Sequence, residues 1–314
     1  VTQTAKYSTR VLVAFGCVYF FWGSTYVAIR LGVEVLPPFV LASIRFLIAG
    51  PIMLALCAAR GLKLRQTPRD FGMLVAIGVL MLGIGNMGLV WSEQYLPSGL
   101  ASLLIAVIPL YVAVIEVFLP NGEGLRARGW LGIGIGLLGL LVLLSPGLRE
   151  GLHGNREQLW GSAVAILSAF AWTCGSVLSR RAKVAASAFV AAAWEMLFAG
   201  IFNFLLMLIF GGSYRQNWGP QAVFSIAWLV VFGSLVGYTA FIYLLDNVPV
   251  AKVSTYAYIN PIVAVILGAI LLHERMVPIE YAGMAAILVA VYLVTSSRLQ
   301  AEAATPSEEL EAIG

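Results

Sequence analysis

Phe20-Phe-Trp-Gly-Ser-Thr-Tyr-Val-Ala-Ile-Arg30 returns 150 residues later as Phe170-Ala-Trp-Thr-Cys-Gly-Ser-Val-Leu-Ser-Arg180, and both copies sit inside long apolar runs. The match continues in both directions. Phe39, Ala49 and Gly50 align with Phe189, Ala199 and Gly200 at an offset of 150. Gly85 falls on Gly237, and Pro97, Ser102 and Pro109 fall on Pro249, Ser254 and Pro261, at 152. Gly132 meets Gly283 and Ser145 meets Ser296 at 151. Glycine and alanine matches are inflated by composition, so the tryptophan and proline matches carry the weight.

At 61% hydrophobic and 11% charged residues, with a mean hydropathy of +0.93, the chain has too few polar side chains to cover a water-soluble body of 314 residues. Runs that can cross roughly 30 Å of hydrocarbon as helices lie at 11–31, 38–58, 71–91, 98–118, 129–145, 160–179, 188–210, 222–245, 250–272 and 278–297. The alternating pattern of barrel strands is absent, which leaves helices as the spanning structure. The expected fold is therefore an all-α integral membrane protein of ten transmembrane helices. Five spans per copy is an odd number, so the copies enter the membrane from opposite faces. This predicts two inverted five-helix repeats, 1–146 and 159–298, joined by a loop at 147–158 and followed by a disordered acidic tail at 299–314. Inverted repeats of this kind build one central site with two interchangeable gates in many secondary transporters.

Charge placement predicts the topology. With both termini in the cytoplasm, thirteen of the 19 basic residues fall in inner loops and five in outer ones, with Arg45 inside a span. Basic residues spread over loops do not form a nucleic-acid face. The first span follows Lys6 and Arg10 and is longer than a signal-peptide core, so it reads as a retained anchor. Cys17, Cys57 and Cys174 lack disulfide or metal spacing, and the two histidines, His153 and His273, lie in loops without a second ligand at helical spacing. No catalytic residues, cofactor or metal are expected, and no phosphate loop for ATP is present. Two Gly-x-Gly-x-x-Gly patterns, at Gly83–Gly88 and Gly134–Gly139, sit mid-span, where close helix packing explains them better than a dinucleotide site does.

Three ionisable residues lie within spans: Arg45, Glu116 and Glu195. Arg45 and Glu195 occupy matching places in spans two and seven, in opposite leaflets, which argues against a direct pair. They are candidates for gating charges; the alternative is structural pairing, Arg45 with Glu34 or Glu93 and Glu195 with Arg180 or Lys252. Glu116 reads as a helix-end residue near Arg126 and Arg128. The expected cavity lining is Trp22, Tyr26, Asn86, Trp91, Ser102, Trp172, Tyr238, Ser254, Tyr258 and Asn260. Hydroxyls, amides and rings suit a small zwitterionic or aromatic solute. No acid near the midplane is evident, which points to uniport rather than proton antiport.

Trp22-Gly-Ser in span one, Pro109 with Glu116 beyond it, Leu272-His-Glu-Arg275 after span nine and Gly283 in span ten together resemble the drug/metabolite transporter superfamily, specifically its EamA-type ten-helix exporters, over about residues 8–298. Among these the chain is similar to the YddG-type amino-acid exporters. The resemblance implies an inner-membrane exporter of small metabolites, with membrane lipids as its surroundings; a lipid flippase and a membrane enzyme are the rival readings. In the first half Asn121-Gly-Glu-Gly stands where the second has His273-Glu-Arg-Met, so the arginine of that turn is not shared.

Overall fold

Prolines and capping side chains set where the helices begin. The computed structural model describes residues 8–120, 124–152, 156–210, 216–248, 253 and 255–302. Its helices are α1 (Thr9–Val33), α2 (Pro38–Ala59), α3 (Pro68–Ser92), α4 (Ser98–Phe118), α5 (Ala127–Leu152), α6 (Glu157–Arg181), α7 (Ala188–Phe210), α8 (220–247), α9 (Tyr256–Leu271) and α10 (Pro278–Glu302). Nine are long and apolar enough to cross a bilayer, and α9 is a shorter apolar helix among the described residues. Pro38, Pro68 and Pro220 sit in the first turn, where a missing N–H costs nothing. Thr67 Oγ1 also accepts the Asp70 N–H at 3.1 Å. Gly61, at φ +71°, ends α2 in the left-handed region that a Cβ disfavours.

Two boundaries differ from the sequence reading. The expected 147–158 connection is mostly helix, because α5 continues through Pro146 to Leu152 and α6 starts at Glu157. The tail expected from 299 begins as helix, α10 reaching Glu302; residues 303–314 lie outside the described ones.

The inversion is visible in how repeat mates touch. A Cβ placed on Gly50 of α2 would lie 2.7 Å from the backbone nitrogen of Leu197 on α7, and one on Gly200 would lie 2.7 Å from that of Leu47. Adding 150 to either contact gives the other, and the numbers rise on one helix as they fall on its partner. The helices are antiparallel mates across a pseudo-two-fold axis. The same holds for α5 and α10. Gly132 faces the Ala290 carbonyl and Val294, while Gly283 faces the Gly139 carbonyl and Leu143, each contact the other's image at an offset of 151. The glycines thus bring the mates to backbone contact, the packing that small residues permit in lipid.

Three spans are not plain α-helices. Val18–Trp22 in α1, Val79–Asn86 in α3 and Leu229–Val236 in α8 are π-helical. The last two are mates whose limits differ by 150 at both ends. This pairs Gly83 with Gly233, so the Gly85–Gly237 alignment at 152 is not the structural one. A π turn widens the helix and loosens its hydrogen bonds, and such turns favour functional sites. In α4, Pro109 lacks the N–H that the Ile105 carbonyl would bind, and the helix divides at Ala106–Val107.

Packing differs between the two ends of the bundle. At the end carrying residues 34–37, 93–97 and 272–277, Gly23–Val33 of α1 packs on Ser98–Ile105 of α4 and Met87–Ser92 of α3, and α9 closes on α4. The main core lies here, with Leu96, Leu100, Leu103 and Leu104 fully buried. At the other end, Thr9–Cys17 of α1 packs on Gly237–Asn247 of α8 around a separate core of Val11, Ala14, Val18, Leu244, Val248 and Val253. Ile108–Phe118 of α4 packs instead on α6 and α10. No comparable packing joins these two groups among the described residues. Among the described residues one end is sealed and the other divided, with α9 lying between the two groups, Tyr256 on Trp22 and Tyr258 on Val291 of α10.

Candidate functional site

The repeated motif of α1 docks on the π segment of α8. Trp22 Nε1 donates to the Gly233 carbonyl at 3.1 Å, and Ser24 Oγ accepts from Trp228 Nε1 at 2.9 Å. Gly23 lets α1 approach α9 so closely that a Cβ there would meet the Cβ of Val263 at 2.6 Å. Trp22 thereby enters an aromatic group, with ring centroids 5.2 Å from Tyr256, 5.0 Å from Phe241 and 5.9 Å from Tyr238. Beside it Tyr19 and Thr255 share a hydroxyl hydrogen bond of 2.5 Å. With its amide nitrogen turned to the available carbonyls, Asn260 donates to Tyr19 O at 3.2 Å and Tyr256 O at 3.3 Å. Trp172, the mate of Trp22, packs across from this group with Phe46, Leu82, Val230 and Tyr238 and makes no bond equivalent to that of Trp22 among the described residues.

Arg45 and Glu195 flank the α2–α7 crossing. Since Gly50 is level with Leu197 and Leu47 with Gly200, Glu195 lies level with position 52, about 10 Å from Arg45 along the axis at 1.5 Å per residue. Arg45 is 7% exposed. Its Nε donates to Ser234 Oγ at 3.0 Å, its guanidinium lies 4.8 Å from the Phe46 ring centre, and Nη1 is buried without a hydrogen-bond partner. Glu195 is 6% exposed, with no hydrogen bond or ion pair to its carboxylate among the described residues. Tyr238 is within electrostatic reach of both. None of the described partners expected for structural pairing binds either charge. Arg180 and Arg181 are engaged with Glu116 at 3.1 and 2.7 Å, tying α6 to α4, so the partners of Glu116 are not Arg126 and Arg128.

The other expected lining residues scatter. Tyr26 and Asn86 are buried, and Asn86 Oδ1 lacks a partner. Trp91 packs on Tyr95 at the sealed end, 5.0 Å between ring centres. Ser102 is fully buried and donates back to Gly99 O of its own helix at 2.6 Å. Tyr258 reaches the Val291 carbonyl on α10 at 3.2 Å, which turns it away from the aromatic group. Ser254 lies outside the described residues. Tyr19, Ser234, Phe241 and Thr255 join the site without having been singled out in the sequence. Tyr19, Ser234 and Phe241 stand at helical spacing from Trp22 or Tyr238, a spacing that packing residues share, and Thr255 carries no such signal. A hollow of about 470 Å³ at the divided end, lined by Leu62–Lys63, Arg65–Thr67, Asp70 and 185–187, is a cleft between loops and reaches none of these side chains.

At the sealed end the Leu272-His-Glu-Arg275 turn acts as a cap. His273, at φ +54°, ends α9 in the left-handed region, uncommon for a residue with a Cβ, and so turns Glu274 back toward α4. Glu274 accepts from Ser98 N at 2.8 Å, Ser98 Oγ at 2.8 Å and Gly99 N at 3.3 Å. A carboxylate on the free N–H groups of a helix start is favoured by both hydrogen bonds and dipole. Arg30 donates to the carbonyls of Glu93 and Gln94, at 2.5 and 3.1 Å, and so binds α1 to the end of α3. Glu274→Ala is expected to lower stability by about 1–2 kcal/mol, the usual worth of a lost cap. Glu274→Gln, which can still accept one of the bonds, should lose less. Thermal unfolding of the purified variants measures both, and equal losses would count against capping.

The two-repeat fold has counterparts among known proteins. A model of the EamA-like transporter family fits residues 10–145 and fits again at 159–296. The chain belongs to this family. It is thus a multi-pass membrane transporter of the drug/metabolite type. An uncharacterized inner membrane transporter of Escherichia coli K12, YedA, is 37% identical over 88% of both chains. A WAT1-related chloroplastic protein of Arabidopsis thaliana is 31% identical over 88% of this chain and 67% of its own, and the uncharacterized transporter YoaV of Bacillus subtilis 26% over 85% and 90%. A crystal structure described only as that of a protein shares the fold, with a TM-score of 0.64 at 23% identity over 91% of this chain and 96% of that one.

Proposed function

We propose that this EamA-family protein exports small metabolites, amino acids foremost, across the inner membrane by alternating access, with both termini in the cytoplasm. The observation that carries the reading is the unequal packing of two mirrored halves. A bundle sealed at one end and divided at the other has an equally built alternative, in which the mates exchange roles and the opposite end closes. In the orientation favoured by loop charge, the divided end faces the cytoplasm, where an exporter takes up its load. The amino-acid reading is supported by Arg45 and Glu195. A zwitterion lying along the bundle axis meets a cation at one pole and an anion at the other, with the Trp22, Tyr238 and Tyr256 rings beside its side chain. A polyanion would find one cation and a repelling carboxylate.

The test is transport of labelled neutral and aromatic amino acids by the purified protein in liposomes. Saturable flux, competed by other amino acids, is expected. Flux competed only by lipid headgroup analogues, or none with any amino acid, would remove the substrate assignment and leave the family intact.

A further inference from the structure

Glu93 is the most deeply buried acid of the sealed end. It follows the last residue of α3, is 0% exposed, and neither of its carboxyl oxygens has a hydrogen-bond partner. Two charges act on it, Glu274 from the turn after α9 and Arg30 from α1, and Tyr26 of α1 lies within electrostatic reach. Arg30 does not neutralise it: the guanidinium is spent on the backbone carbonyls of Glu93 and Gln94 and lies 3.8 Å from the carboxylate of Glu34. Glu274 is committed to capping α4. An ionised carboxylate with no hydrogen bond, fully out of water and facing a second carboxylate, is a costly arrangement, whereas the neutral acid fits it.

We propose that Glu93 is a proton-binding site of the transport cycle: its carboxyl takes up a proton from water when the α1–α3–α4–α9 end seals and gives it back to water when that end opens. This rests on the alternating-access reading but on no particular substrate. Burial first, then Glu274, raises the carboxyl well above the usual carboxylate range, with Arg30 offsetting part of the rise. Because the sealed form holds the proton more tightly, sealing is fully favoured below the ordinary carboxylate pKa. It weakens as the pH climbs from there to the raised value, and changes no further above it.

The probe is Leu96→Cys at this end, where the side chain is 0% exposed in the sealed form. The full chain, with its native cysteines replaced, is held in lipid nanodiscs. Its labelling by a soluble maleimide is divided by that of Trp218→Cys, on an exposed loop before α8. The ratio is expected to rise by up to about tenfold per pH unit between the ordinary carboxylate value, about 4.3, and the raised one. Glu93→Gln should stay low and flat across that range, while His273→Asn, which removes the histidine beside Glu274, should keep the wild-type profile. A flat wild-type ratio overturns the proposal without any variant. So does a Glu93→Gln protein that still follows pH, or a His273→Asn protein that alone loses the response. Absence of amino-acid flux alongside an intact pH response would fail the substrate assignment only.

Discussion

Replacing Gly50 with alanine is expected to destabilise the protein by about 1–3 kcal/mol, the usual cost of overpacking, and valine by more than that range. The reason is where a Cβ would go. Most crowded glycines in this bundle face side-chain atoms that can rotate aside. At Gly50 the obstacles are the nitrogen and Cα of Leu197, at 2.7 and 2.9 Å, and at Gly200 they are the Leu47 nitrogen and the Phe46 carbonyl carbon, at 2.7 and 2.9 Å. Backbone held in a helix relieves such contacts only by moving the helix. For a protein whose total stability is about 5–15 kcal/mol, that is a large share. The two sites also share one crossing, so a shift that admits the first methyl partly admits the second. Gly50→Ala and Gly200→Ala together should therefore cost less than the sum of the single losses. Thermal unfolding of the two single variants and the double variant measures this. Strict additivity, or unchanged melting of Gly50→Val, would show that the mates do not meet at this point.

The spans were legible because bilayer thickness leaves little choice: an apolar run bounded by Pro37-Pro38 or Gln66-Thr67-Pro68 has to be a helix of one length. The inversion was legible for a similar reason, since an odd number of spans cannot return to the same face. Side-chain direction was not. Tyr258 and Trp22 are both aromatics deep in a span, yet one bonds to α10 and the other to the π segment of α8, and a π turn has no signature in residue type that helical spacing can read. Nor does the sequence determine which end is sealed. Both halves carry the same motif, and the state is a property of their packing. Glu93, named in the sequence only as a possible partner of Arg45, went unnoticed as a site because, two residues beyond the 71–91 span, it reads as an acid at the water interface. Only the fold of α1 and the 272–277 turn over it removes that water.

Arg45 provides the sharpest separation of function from structure. If it served the fold, removing it would lower stability. Its surroundings predict the opposite: one hydrogen bond to Ser234, the face of Phe46, and a buried Nη1 with nothing to bind. A buried charge without an ionic partner or a full set of hydrogen bonds costs the fold its desolvation, so an apolar side chain of similar volume is expected to leave stability unchanged or raise it. Arg45→Met is therefore expected to melt at or above the wild-type temperature. Its transport should meanwhile fall by about ten- to a hundredfold, since a hydrogen bond to a charged group contributes roughly 1.5–3 kcal/mol. Glu195→Gln should follow the same pattern, and the amide, which can accept a hydrogen bond but carries no negative charge, should weaken substrates that keep their ammonium more than those that lack it. The opposite result, lower melting with flux intact, would make Arg45 a fastener between α2 and α8 and leave Glu195 without its counterpart in recognition.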